Sequence, residues 1–304
     1  MGIIINFHKV NDPIWFEHIL FFLKKKYNPI SISDLVSCCQ RKCDLKKLCH
    51  ITVDDGDKSF YEVIFPVLKK HKIPATIFVS SDVAVNQLNF WFQEIVGYDR
   101  HNLIMVISEV INIKVKDLKH FPLIDIFRCL KIDQIWEIIT RYQKKIKVDK
   151  KLCQNMSVNE LKEVENSGLV TVGAHTLRHP ILANEEIEIS RNEITASISD
   201  LKKILGHEIK YFAYPNGLPG FDIGQREIRV LEENGCECAL STQSGPFNYH
   251  TDLLNMPRYG LSSGDKLIYF KTKLFFGSRW NTIMKLKPGN ESVNRKKLLK
   301  LLRK

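Results

Sequence analysis

The sequence predicts an α/β fold around a mostly parallel sheet, interrupted by a helical insertion. Three observations carry this prediction. Short apolar runs alternate with stretches of helical period, the pattern of β/α units. Three polar, chemistry-bearing segments fall where those runs end. The stretch from about residue 97 to 151 reads as helices with no strand between them.

Taken in order, Ile3–Phe7 reads as a buried strand, and Pro13–Lys26 carries apolar residues at a helical period. Leu48–Val53 is a second strand that runs straight into Asp54-Asp55-Gly56-Asp57. Phe60, Val63, Ile64, Val67 and Leu68 mark a helix, and Ala75–Val79 a strand introduced by Pro74. Within the insertion, Leu103–Ile113, Ile124–Ile132 and Ile135–Ile146 are amphipathic helices that belong to the same domain. Alternation resumes after the capping box of Ser157 and Glu160. The strand Leu169–Val172, a helix over Ile187–Leu205, the strand Tyr211–Tyr214, a helix over Gln225–Asn234 and the strand Glu237–Ser241 follow. After Gly277 the pattern weakens, and Lys287-Pro288-Gly289-Asn290 reads as a linker to a short basic helix over 293–303. The expected division is a catalytic domain over 1–278 and a basic tail over 279–304.

Composition excludes several classes. With 44% hydrophobic and 26% charged residues among 304, the chain is neither disordered nor collagen-like nor a coiled coil. Its longest apolar runs fall well short of the roughly 18–20 residues that cross a bilayer. No basic region followed by a long apolar stretch opens the sequence, so no secretory signal is expected. The formal charge of +11 is concentrated late: from Lys285 onward stand eight basic residues and one acid, leaving about +4 on the other 284. A nucleic-acid role would therefore rest on the tail alone, and none is expected. Eight cysteines include Cys39, Cys43 and Cys49 beside His50, which loosely resembles a zinc site. The paired short C-x2-C steps of such sites are missing, and buried free thiols are the expected reading.

The chemistry sits in the three strand-end segments, where loops of β/α folds converge. Two adjacent carboxylates, Asp54 and Asp55, leave a buried strand, where like charges are costly unless something compensates. A cation can compensate for one while the other acts as a base. The competing reading is an Asx turn or helix N-cap. His175 and His179, four apart, can aim two imidazoles at one point from a turn of helix or a tight loop. Taken alone such a pair is commonly incidental. With one carboxylate it makes three ligands and leaves a position open for water. Tyr214-Pro215-Asn216-Gly217 forms the third segment.

These motifs and their order resemble the polysaccharide deacetylases of carbohydrate esterase family four, which share a domain with nodulation-type chitooligosaccharide deacetylases. Thr52-Val53-Asp54-Asp55-Gly56 resembles the family's first motif and His175-Thr176-Leu177-Arg178-His179 its second. Phe65-Pro66, Ile73-Pro74-Ala75-Thr76 and Phe212-Ala213-Tyr214-Pro215 extend the likeness over about residues 3–262. The resemblance implies a distorted (β/α) barrel and removal of an N-acetyl group from an amino sugar. It makes Asp54 the general base and Asp55, His175 and His179 the ligands of a divalent metal, zinc being the expected one. The backbone N–H of Asn216 would stabilise the oxyanion.

Departures from the pattern matter. The Arg that usually precedes the third motif's Pro by two residues is replaced by Ala213, and neither the Asp-Trp motif nor the late Leu-x-x-His is recognisable. A shorter branch of the family shows the same losses and carries a strand-one Tyr-His; here Phe7-His8 stands there, and Asp252 through Arg258 resembles that branch's late segment. Arg258 is accordingly expected to supply the missing cation near Asp54. His8 or His250 would protonate the leaving amine, with His8 preferred. Phe90-Trp91-Phe92 is a candidate sugar-stacking platform, or simply core.

A cytoplasmic enzyme is expected, attached to the inner face of the membrane through its basic tail, where each Lys or Arg near anionic lipid contributes about 1 kcal/mol. The substrate would be an N-acetylated glycan, polymeric, oligomeric or lipid-linked. Two other classes fit the residues: a non-catalytic carbohydrate-binding protein on this fold, and a metal-dependent amidohydrolase of another acyl amide.

Overall fold

The computed structural model describes residues 1–285 and 290–302. Its elements run β1 (Ile3–Phe7), α1 (Pro13–Lys26), β2 (Asn28–Pro29), α2 (Ile32–Gln40) and β3 (Leu48–Val53). A π-helical turn over Phe60–Ile64 leads into α3 (Phe65–His71), then β4 (Ala75–Val79) and α4 (Ser81–Val85). The insertion holds α5 (Trp91–Glu94), α6 (Arg100–Ile111), α7 (Val115–Leu118), α8 (Leu123–Phe127) and α9 (Ile132–Ile146). Next come α10 (Val158–Asn166), β5 (Val170–Ala174), α11 (Ile187–Leu205), β6 (Tyr211–Ala213), α12 (Gln225–Glu233), β7 (Cys238–Leu240) and β8 (Tyr259–Gly260). Three helices close the described chain: α13 (Leu267–Phe276), α14 (Arg279–Lys285) and α15 (Glu291–Leu302).

All strand pairs are parallel, in the order β7-β6-β5-β4-β3-β1-β8, with β2 against the start of β3. Burial on both faces explains the continuous apolar runs of β1, β3 and β4. The sheet curls into a distorted barrel. Between β7 and β8 the seam is spanned by the segment ahead of β8, where Met256 N donates to Ala239 O at 2.9 Å and Ser241 N to Met256 O at 2.9 Å. The main core of β-strand residues packs beneath α1, α3, α10 and α11. α10 starts as the sequence predicts: Ser157 N donates to Glu160 Oε2 at 2.7 Å, and Glu160 N to Ser157 Oγ at 3.3 Å.

The insertion builds a second apolar cluster of its own, from Trp91 through Tyr142. The expected helix over Ile124–Ile132 breaks after Phe127 because the body captures its backbone. Asn184 Nδ2 donates to the carbonyls of Arg128 and Leu130, and Glu185 Oε1 accepts from Ile132 N at 2.7 Å, capping α9.

The basic tail differs from its expectation. α15 is docked, with Leu298 and Arg295 each about 1% exposed and Leu299 and Leu302 packed on the insertion's cluster. Leu298, Leu299 and Leu302 therefore face protein. Part of the linker, residues 286–289, lies outside the described residues, as do Arg303 and Lys304. Among the described residues no helix is long and apolar enough to cross a membrane. All eight cysteines are free, and burial raises the pKa of the five buried thiols, Cys39, Cys49, Cys129, Cys236 and Cys238. His50 is tied to Ile30 O at 2.8 Å and Thr76 Oγ1 at 3.0 Å, so it is a satisfied core histidine.

Candidate active site

The three polar segments meet at the carboxyl ends of β3, β5 and β6. After Val53 the chain turns sharply through Asp55 and Gly56, both at φ +75°. Gly56 is required twice over, by its positive φ and because a Cβ would lie 2.9 Å from Val79 Cγ1. The turn directs Asp54 inward, where it is 2% exposed. Arg258 grips it as a fork: Nη1 donates to Oδ1 at 2.8 Å and Nη2 to Oδ2 at 2.9 Å. Asn6 of β1 donates to Oδ2 at 3.0 Å, and its own Oδ1 accepts from Arg258 at 3.1 Å and Thr52 Oγ1 at 3.1 Å. Arg258 Nε donates to Ser241 O at 3.0 Å, so the guanidinium is itself fixed. Burial would raise the Asp54 pKa, but the charge of Arg258, aided by His175 and His8, outweighs it and holds the carboxyl below its ordinary value.

His175 and His179 sit on an irregular loop after β5, not on a helix; Thr176 and His179 have φ +65° and +63°. Thr176 Oγ1 accepts from His179 N at 3.0 Å, and buried Glu193 of α11 accepts from the amides of Leu177 and Arg178, each at 3.0 Å. Ser80 Oγ donates to His175 O at 2.8 Å, and Trp91 Nε1 to His179 O at 3.3 Å. These bonds, more than helical spacing, set the two rings.

Asp55 Oδ1 lies 3.5 Å from Nε2 of each histidine. Tetrahedral donors at about 2.1 Å from a zinc ion would stand about 3.4 Å apart, so the donor set fits a divalent cation. Two further observations agree. Asp55 Oδ1 is buried without a hydrogen-bond partner. His175 Nδ1 is held by Ala213 O at 2.6 Å, which leaves Nε2 as the ligand atom. Among the described residues these three form the metal-capable group. Burial would raise Asp55 and lower His175, yet their attraction across 3.5 Å, aided by neighbouring charges, outweighs it in both, lowering the acid strongly and raising the imidazole. Burial, then the charge of His175, pushes His179 down to about 3, so its ring is neutral.

In the third segment Asn216 adopts φ +55° and Gly217 φ +48°, where a Cβ would meet Tyr214 O at 2.7 Å. The Asn216 side chain donates to Asp222 Oδ2 at 2.6 Å and Glu291 Oε1 at 3.2 Å.

A cavity of about 1040 Å³ opens over this floor, lined by Asp54, Asp55, His175, His179, His8 and Asn216. His8 lies at its mouth, about half exposed, with Nε2 3.9 Å from Asp54 Oδ2. The structure does not bring His250 here; it stands in a separate cleft with Met1, Lys42 and Cys43, beside the start of β1. The opposite wall comes from Trp91, Phe92, Ile124 and Arg128 of the insertion and Glu291 of α15. Of the aromatic triplet, Phe90 and Trp91 are buried and Phe92 stacks on Phe90 at 5.0 Å, with Phe90 and Phe92 edge-on to His179. The sequence reading missed Asn6, Glu193, Arg128 and Glu291. Asn6 carried a signal, a polar residue inside an otherwise apolar strand. Glu193, Arg128 and Glu291 carried none, because charged residues on helices read as solvated faces.

A buried carboxylate beside an Asp-His-His group, at the strand ends of a parallel β/α barrel, is an arrangement of groups suited to hydrolysis. Comparison with known proteins makes the class specific. The polysaccharide deacetylase family profile matches residues 41–239, more than half of the chain, and the chain belongs to that family of carbohydrate N-deacetylases. No curated protein sequence matches. Solved structures share the fold. The deacetylase PplD of Streptococcus pyogenes, determined in complex with acetate, aligns at TM-score 0.60 and 15% identity over 90% of this chain and 97% of its own. IcaB of Ammonifex degensii aligns at 0.58 and 19% over 86% and 92%, and a de-N-acetylase of Aggregatibacter actinomycetemcomitans at 0.61 and 15% over 90% and 99%.

Proposed function

We propose that this protein is a metal-dependent N-deacetylase that removes an acetyl group from an amino sugar in a polysaccharide, oligosaccharide or lipid-linked glycan. The observation that supports it most is the pairing of two differently treated carboxylates. Asp54 is clamped by Arg258 and Asn6, while Asp55 Oδ1 is buried with no protein donor and faces two imidazoles. Asp55, His175 and His179 would hold the metal, which supplies a Lewis acid that polarises the acyl carbonyl and acidifies water. The donor types accept zinc first, and also cobalt, nickel or iron(II).

The chain's own groups divide the remaining work. Asp54 takes the proton of the attacking water; with both oxygens held it cannot swing away, yet a carboxylate retains lone pairs for that bond. Arg258 keeps it ionised. The Asn216 N–H, presented by the left-handed turn, stabilises the oxyanion. His8, within reach of Asp54 and exposed to the cavity, gives a proton to the departing amine. The cavity is at the upper end of small-molecule sites, which suits a saccharide longer than one ring.

The test compares wild type with Asp54→Asn for bound metal and for acetate released from N-acetylhexosamine oligomers and lipid-linked acetamido sugars. Equal metal with release by wild type alone supports the reading. Metal without release from any substrate points to another acyl amide or to a binding protein, and absence of metal overturns the mechanism.

A further inference from the structure

The terminal helix reaches the third active-site segment through a continuous buried network. Asp222, fully buried, accepts from Asn216 Nδ2 at 2.6 Å and from Leu218 N at 3.0 Å, bracketing the turn that bears Asn216. Its charge is matched from α15: Arg295 Nη2 stands 2.6 Å from Asp222 Oδ1, and both side chains are at most 1% exposed. Arg295 lies 4.4 Å over the Phe221 ring and donates to Arg128 O at 2.9 Å and Glu291 Oε1 at 3.0 Å. Glu291 pairs with Arg128 at 2.6 Å and accepts from Asn216 Nδ2 at 3.2 Å. Asn216 is thus held from two sides, by Asp222 and by Glu291, and Arg295 binds both acids.

A buried carboxylate next to a left-handed turn needs a counter-charge, or it takes a proton or drags its partners toward water. An Asn at positive φ is tolerated but not compelled, so its amide direction depends on such anchors. We propose that Arg295 and Asp222 are positioning residues for the oxyanion turn: the C-terminal helix, far from the chemistry in sequence, fixes the direction of the Asn216 N–H. The inference rests on the deacetylase reading for its kinetic consequence only.

The test uses the full chain with Arg295→Met, Arg295→Lys, and the pair Asp222→Asn with Arg295→Met. Amide hydrogen exchange is read over 214–222 beside 52–57 and 173–180, together with bound zinc and steady-state acetate release. Arg295→Met is expected to raise exchange in 214–222 alone, keep bound zinc, and lower kcat about 10- to 100-fold with a smaller change in KM, the size of losing one oxyanion donor's alignment. Arg295→Lys retains part of the rate, and the double variant, with the buried charge removed, recovers protection and part of kcat. Unchanged exchange over 214–222 in Arg295→Met overturns the inference. So does a rise spread equally over all three loops without recovery in the double variant, which marks a merely structural helix. Should wild type release no acetate, the deacetylase reading fails, and hydrogen exchange alone still decides this one.

Discussion

The barrel and the insertion solve the problem of enclosing a site in different ways. The barrel places polar groups inside: the charges of Asp54, Arg258 and Glu193 and the neutral imidazole of His50 are nearly or fully buried, each satisfied by other elements. The insertion is built mainly on apolar residues, buries the acids Glu94 and Asp125, and meets the barrel through rim pairs, Lys131 with Glu186 and Arg178 with Asp133. One region gives fixed chemistry, and the other gives a wall for the cavity. The lesson is that rigidity at the reacting groups comes from buried polar bonds, whereas the wall needs only shape and a few rim charges.

The largest expected effect tests the barrel side. Arg258→Met leaves Asp54 buried and unpaired, which costs about 3–5 kcal/mol of stability. Acetate release should fall by roughly 10²–10⁴-fold as the base loses its alignment and charge. Arg258→Lys, smaller in its effect on folding, separates the two: near-wild-type melting with a large loss of rate assigns the fork to aligning the base, and near-wild-type melting with little loss shows that a positive charge alone suffices there. Denaturant titration and acetate assay read both quantities.

Next, Phe127→Ala opens a hole in the insertion's cluster, where Phe127 stacks on Trp91 at 5.6 Å. A loss of about 3–5 kcal/mol is expected for such a truncation. If the two regions are as separate as their cores indicate, exchange should rise over 98–146 while β3 and β5 stay protected, and KM should rise more than kcat falls. Uniform loosening of the sheet would show one cooperative core instead.

A somewhat smaller effect distinguishes the regions by pH. Burial pushes His50 down to about 4, while the unfolded chain binds that proton near pH 6.5. The stability His50 permits is complete above pH 6.5 and is lost as pH falls toward 4, by about 3 kcal/mol. His101 and His120 of the insertion are exposed. Melting curves between pH 7 and 5 should show acid sensitivity in wild type and a shallower slope in His50→Gln; equal slopes would remove His50 as the cause.

Much of the barrel was legible because its strands are buried on both faces and end in compact polar motifs. The short pieces were not. β2 and β8 have two residues each, too few for any period, and α2 and α13 went unread, the latter because apolar residues surround it: Ile268 and Phe275 are exposed while Phe270 is buried. The site divided in the same way. Asp54, Asp55, His175 and His179 announced themselves by type and spacing, whereas Asn6 and Glu193, which orient them, did not.

What the sequence determined by itself is what depends on local order: strands and helices with a clear hydrophobic period, the capping box at Ser157, and the residue types able to hold a metal and move a proton. Only the tertiary structure decided that Arg258 grips Asp54 through both Nη atoms together with Asn6, that His250 stands in a cleft apart from His8, and that the basic terminal helix packs with Arg295 and Leu298 inward. The physical reason is common to all three. A charged side chain has no periodic signature, and whether it is solvated or buried depends on the partner that folding brings to it from a distant part of the chain.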